Sequence, residues 1–130
     1  MHVGGNWKLK QWPAENFAKL ADCLAKDLKA KVIICGGKDD VVLGEKIAAL
    51  STQKLHVLAG KTTFSELVSL MKQASLVVSA DSGPLHIASS VGSPVVGLFG
   101  PTHPSVTGPR GIGKNLIIHY DVGCNTKPCY

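Results

Sequence analysis

The hydrophobic period of this chain switches back and forth between helix-like and strand-like. In "PAENFAKLADCLAKDLKAK" (13–31), Phe17, Leu20, Ala21, Leu24 and Leu28 recur at helical spacing, with lysines on the opposite side. Pro13 suits the first turn of such a helix, because the N–H it lacks has no intrahelical partner there. The pattern then contracts to a short apolar run in "KVIICGGKDD", a strand ended by Gly36 and Gly37. "VVLGEKIAALS" is helical again, "KLHVLAGK" a strand, and "FSELVSLMKQA" a helix that Thr63 or Ser65 can cap. "SLVVSA", "PLHIASSVG", "SPVVGLFG" and "KNLIIHY" predict strand, helix, strand and a last strand. At the front, "HVGG" reads as a first strand clipped at its start.

Strands thus alternate with helices about four times, and the strands are continuous apolar runs. Strands covered by helices on both faces look like this, so the expected class is α/β, a Rossmann-like, doubly wound parallel sheet. At 130 residues the chain has the length of one domain. Ligands of such sheets bind beyond the carboxyl ends of the strands, where the strand order reverses. That rule selects "GGNWKLK", "CGGKDD", "AGKTT", "SADSG" and "FGPTHP" as one functional rim.

Composition narrows the partners. Fourteen Lys and Arg against nine Asp and Glu leave a net charge of +5, which favours phosphates, nucleic acid or an anionic membrane. The basic residues are scattered and aromatics are only 5%, so we expect no nucleic-acid partner. No apolar run reaches the roughly 18–20 residues that cross a bilayer. Cys23 and Cys35 fall in helix and strand patterns and read as buried apolar groups. Cys124 and Cys129 flank "NTKP", a spacing that fits a small disulfide loop or half of a metal site. We expect no cofactor and no metal, in a cytoplasmic, reduced protein.

The chemistry concentrates in "SADSGPLHIASSVGSPVVGLFGPTHP" (79–104). A strand ends at Ala80 and a helix starts near Gly83, with Ser82 or Gly83 as cap and Pro84 in the first turn. The free N–H groups and positive dipole end of that helix face the rim, where a phosphate is stabilised. Gly83 lets the backbone approach such a ligand closely. Leu85, Ala88 and Val91 share the helix's buried side, leaving His86, Ser89 and Ser90 on a small polar face. His86 either donates to a phosphate or sugar oxygen or pairs with a neighbouring carbonyl. Asp81 is either a turn former or, since it would repel phosphate, a partner for hydroxyls and amides. The segment after Gly100 is either simply a tight turn or a rim loop whose amides and Thr102 hydroxyl touch the ligand.

These residues carry a resemblance. "DSGPLHIA", then "GSPVVGLFGPTHP" and "TGP", resemble the C-terminal domain of glycosyltransferase family 9, the heptosyltransferases of lipopolysaccharide core assembly. "KQWPAENFAKLADCL" is similar to that family's lysine–any–Trp–Pro segment, and "LAGKTTFSELVSLMKQASLVVSADSG" keeps its order and spacing. The likeness runs from about Gly4 to Pro109. It implies one half of a GT-B fold: residues 1–130 as a single nucleotide-sugar-binding domain, with the acceptor domain and catalytic base in a second half outside this chain. The donor implied is an ADP-sugar, ADP-heptose in the best-known members, and the acceptor a lipid-linked saccharide, with peripheral association at the inner membrane face. By position, Lys10 meets the donor diphosphate, and Asp39 (Asp40 less so) accepts from ribose hydroxyls, with a helix N-cap as the other reading. Lys61 and Thr62 border the base, while Asp81, Ser82, Gly83, Leu85 and His86 surround diphosphate and sugar. The implied reaction is inverting displacement, which this half alone does not turn over.

Two other readings stay open. A sugar-nucleotide epimerase of GT-B shape also uses Asp-Ser-Gly, but follows it with a glutamate on the helix, where this chain has His86 and no acid. A non-catalytic nucleotide-binding module fits the same residues. A dinucleotide dehydrogenase does not, because "HVGGNWKLK" lacks the spaced glycines of its phosphate-binding turn.

Overall fold

A computed structural model describes residues 1–5, 7–121 and 123. Among them are helices α1 (Ala14–Asp27), α2 (Val41–Leu50), α3 (Phe64–Gln73), α4 (Gly83–Ser90) and α5 (Pro104–Thr107). The strands are β1 (Ile33–Ile34), β2 (His56–Val57), β3 (Val77–Ala80), β4 (Val95–Phe99) and β5 (Asn115–His119). β1 pairs with β2, and β3, β4 and β5 pair in that order, all in parallel. Residues 1–3 join the two groups, because His2 bridges in parallel to both Cys35 and Ser79. Backbone bonds of 2.9 Å from the His2 amide to the Val78 carbonyl, and from the Cys35 amide to the Met1 carbonyl, hold it there. The strand order is therefore β2-β1-(1–3)-β3-β4-β5. It reverses between the first segment and β3, as a doubly wound sheet requires.

Two apolar clusters flank the sheet. Phe17, Ala18 and Ala14 of α1 pack with Val3, Ile34 and Ile47, and Trp12 meets the Phe17 ring edge-on at 5.0 Å. Met71 of α3 and Leu85 and Ala88 of α4 pack with Val77, Val95 and Phe99. Local chemistry sets the helix ends. Thr63 and Glu66 form a capping box on α3, with the Thr63 amide 2.7 Å from the Glu66 carboxylate. α4 stops at Gly92, whose φ of +88° suits glycine. There the Gly92 and Ser93 amides take the Ser89 and Ala88 carbonyls, a Schellman ending.

Four expectations need correction. α1 ends at Asp27 with Pro13 at its cap, so Leu28 lies outside the helix, 71% exposed. Cys23 faces solvent on α1, whereas Cys35 is buried and desolvation raises its thiol pKa. Ser89 is fully buried rather than on the polar face; its hydroxyl reaches the Asn115 side chain at 2.6 Å and accepts from the Gly111 amide. Burial on both faces holds for β3 but not for β5, an edge strand that is largely exposed. Cys124 and Cys129 lie outside the described residues.

Candidate functional site

The crevice at the strand-order reversal is built from the loop after Val3 and the end of β3. The loop carries a short 3-10 turn, Lys8–Lys10, closed by a bond from the Lys10 amide to the Trp7 carbonyl at 2.9 Å. The Gln11 side chain ties it back to the Gly5 carbonyl at 3.0 Å. This aims Lys10 across the crevice: its Nζ lies 2.8 Å from Asp81 Oδ2 and 5.7 Å from the centre of the Trp7 ring. Asp81 is buried, and Thr107 of α5 adds a hydroxyl contact of 3.4 Å to the same oxygen. Asp81 is therefore an ion-pair partner rather than a turn former. An ammonium has three N–H donors, so Lys10 holds Asp81 with one and keeps two for a ligand.

The start of α4 is left open. Ser82 stands at the N-cap, but its side chain makes no capping bond. The hydroxyl turns inward instead, 3.0 Å from Ser79 Oγ and 3.4 Å from His2 Nδ1. His2 is buried, and desolvation lowers its pKa to about 4, so the ring is neutral and its Nδ1 can accept the Ser82 proton. Pro84 has no N–H, and among the described residues nothing accepts from the Gly83 amide. A Cβ placed on Gly83 would meet nothing within 4 Å, so no protein contact requires glycine there. His86 is exposed and makes no hydrogen bond or ion pair among the described residues, which removes its reading as the partner of a carbonyl.

The remaining predicted residues separate into three groups. Leu85 is core: its side chain is fully buried and its amide bonds the Ser82 carbonyl at 3.1 Å, so it offers the rim only backbone shape. In the turn Lys38–Asp40, Asp40 takes the capping role, accepting from the Gly37 amide at 2.8 Å and filling the space beside Gly4 and Gly36. Asp39 is left exposed on the rim. Lys61 and Thr62 line a separate shallow cleft of about 470 Å³ with Leu58, Ser65 and Glu66, and the Lys61 ammonium reaches the Val57 carbonyl at 3.2 Å. Thr102 is buried and its hydroxyl finds no partner among the described residues, so it is not a rim hydroxyl open to solvent. No cluster of three or more His, Cys, Asp or Glu with metal-holding geometry occurs among the described residues.

The sequence reading missed His2, Ser79 and Thr107. The first two carried a usable signal, since each is a polar residue inside an otherwise apolar strand. Thr107 carried none, because its contact with Asp81 spans 26 residues.

Several known proteins are similar to this chain. A lipooligosaccharide heptosyltransferase 2 of Haemophilus influenzae is 39% identical over 112 residues, 83% of this chain and 32% of that protein. A solved glycosyl transferase family 9 structure from Veillonella parvula superposes with a TM-score of 0.85 at 31% identity, covering 92% of this chain and 34% of that one. The structure of E. coli ADP-heptose lps heptosyltransferase II does so at 0.82 and 32% identity, covering 90% and 36%. The chain thus spans about a third of the length of these relatives, and its sheet is one Rossmann-like half of a GT-B fold. Residues 2–129 match glycosyltransferase family 9 (heptosyltransferase), and the chain belongs to that family.

Proposed function

We propose that this chain is the donor-binding half of an inverting glycosyltransferase that moves a sugar, heptose from ADP-heptose, onto a lipopolysaccharide-core acceptor. The observation that carries this reading is Lys10, held on Asp81, beside the uncapped start of α4 at the strand-order reversal, with His86 exposed on the first turn of that helix. A diphosphate needs such a place: a cation with spare N–H donors, backbone amides no side chain has claimed, and a helix dipole of the right sign. Asp81 neutralises Lys10 while the crevice is empty. With donor present its second oxygen accepts from sugar hydroxyls, and Asp39 accepts from the ribose. The solved relative named for ADP-heptose supports adenine and heptose as the donor's two ends.

In the reaction, an acceptor hydroxyl gives its proton to a base in the other half of the polypeptide. Its oxygen then attacks the anomeric carbon from the face opposite the diphosphate. The bond from that carbon to the diphosphate oxygen breaks, and negative charge gathers on the leaving group. Lys10, His86 and the Gly83 amide meet that charge without having to reorganise, which is where electrostatic catalysis is most effective. The acceptor's lipid and the chain's positive charge fit work at the cytoplasmic face of a membrane; no helix among the described residues is long and apolar enough to cross one.

Calorimetric titration with ADP, UDP and NAD, repeated on Lys10→Ala and His86→Ala, tests the reading. Selective ADP binding weakened by both substitutions is expected. A preference for UDP would favour the epimerase reading, and binding indifferent to both substitutions would overturn the assignment of the crevice.

A further inference from the structure

β3 is apolar except for Ser79, which is fully buried. The Ser79 hydroxyl donates to the Ala80 carbonyl at 2.9 Å, which uses its only proton. Two polar atoms face its lone pairs, Ser82 Oγ at 3.0 Å and His2 Nδ1 at 3.4 Å. Ser82 Oγ also lies 3.4 Å from that ring nitrogen. His2 reaches this knot because residues 1–3 run between β1 and β3, at the strand-order reversal. With the Ser79 proton spent, Ser82 is the hydroxyl that still has one to give. Buried acceptors stand on its inner side, and leaving them unmatched is costly. The Ser82 proton therefore points inward, to Ser79 or to His2. If Nδ1 carries the ring proton, the ring donates into the serines and Ser79 still accepts from Ser82. The helix makes no competing claim on Ser82: Pro84 has no N–H, and the Leu85 amide already bonds the Ser82 carbonyl at 3.1 Å. Half-buried Ser82 thus offers the crevice lone pairs.

We propose that Ser79 and His2 are positioning residues that hold the Ser82 proton inward and make Ser82 an acceptor towards the crevice. So oriented, Ser82 takes a hydroxyl of the donor's sugar and turns away a phosphate oxygen; this rests on the donor-site reading above. A phosphate oxygen brought to Ser82 sets lone pair against lone pair, whereas a sugar O–H meets an open acceptor. Asp81, the preceding residue, has the same polarity. Lys10 and Thr107 both contact its Oδ2, and among the described residues no donor contacts the other oxygen. Asp81 and Ser82 therefore form an acceptor edge, and Lys10 with the Gly83 amide a donor edge. A diphosphate fits the donor edge and a polyhydroxyl sugar the acceptor edge, so the crevice fixes which end of the ligand lies where.

Calorimetric titration with ADP-heptose and with ADP tests this, on the unaltered chain, Ser82→Ala, Ser79→Ala, and Ser79→Ala combined with His2→Leu. The readout is the ratio of the two affinities, which a general loss of structure does not move in one direction. Ser82→Ala should weaken ADP-heptose about five- to tenfold, the size of one hydrogen bond, and leave ADP unchanged. The double variant frees the Ser82 proton to turn outward. It should weaken ADP-heptose by a similar factor and tighten ADP several-fold. Ser79→Ala deletes a single buried oxygen and leaves His2 to accept, so its ratio should fall between the unaltered chain and the double variant. That variant alone decides the matter if the double one does not fold. Both affinities falling by the same factor, or a ratio unmoved by Ser79→Ala, would overturn the proposal. Lys10→Ala separates this from the donor-site reading. ADP binding indifferent to Lys10→Ala contradicts the donor site and this proposal with it. ADP binding weakened by Lys10→Ala, with the ratio unmoved by Ser79→Ala, contradicts this proposal alone.

Discussion

His2 makes stability depend on pH in a way that can be worked out beforehand. Its ring is buried under the start of α4, and desolvation depresses its pKa from 6.5 to about 4. Below pH 6.5 the unfolded chain therefore binds a proton that the folded chain refuses until about pH 4. The stability that comes from keeping His2 neutral is whole above pH 6.5. It falls as the pH drops towards 4, and levels off below that. At 1.36 kcal/mol per pKa unit the full loss is about 3 kcal/mol. The perturbation is His2→Asn, which keeps a polar acceptor near Nδ1 and does not titrate. Urea unfolding of both chains between pH 7.5 and pH 4 reads the difference. The Met1 amine, whose pKa burial also lowers, is common to both and cancels. The wild-type advantage should shrink by about 3 kcal/mol over that window. Unfolding curves that stay a constant distance apart would refute a buried, neutral His2.

Three further outcomes follow from the site and its scaffold. Gly83→Ala should leave stability unchanged or raise it by up to about 1 kcal/mol, since the position is open and helical, yet weaken ADP binding measured by calorimetry. Leu85→Ala should cost about 2–5 kcal/mol in urea unfolding, as for any fully buried leucine, which separates it from the rim residues. Thr63→Ala removes the hydroxyl half of the α3 capping box, leaving the residue-63 amide to donate to Glu66, and should cost about 0.5–2 kcal/mol, with ADP affinity unchanged.

What the sequence revealed, and what it concealed, divides along physical lines. Helical periods and continuous apolar runs located every helix from α1 to α4 and every strand, because the helices bury one face and the strands, exposed β5 excepted, lie in the middle of the sheet's cover. Gly36–Gly37 and the Asp-Ser-Gly stretch marked the rim because backbone turns need particular residues. Contacts between distant segments left no such trace. Nothing local says that Asp81 pairs with Lys10, 71 residues away, or that Ser82 turns inward to His2 instead of capping α4. The burial of Ser89 was hidden for the same reason: its partners, Gly111 and Asn115, come from the segment leading into β5. Cys23 shows the opposite error, an apolar residue type placed inside by composition where the helix turns it outward.

The central claim is that the diphosphate sits at the start of α4. The most direct test is an amide nitrogen–proton NMR titration of the chain with ADP. The account predicts that the Ser82, Gly83 and His86 amides shift first and furthest, with Lys10 and its neighbours following. Shifts confined to Lys61, Thr62 and the cleft beside them, with the Gly83 amide unmoved, would contradict it.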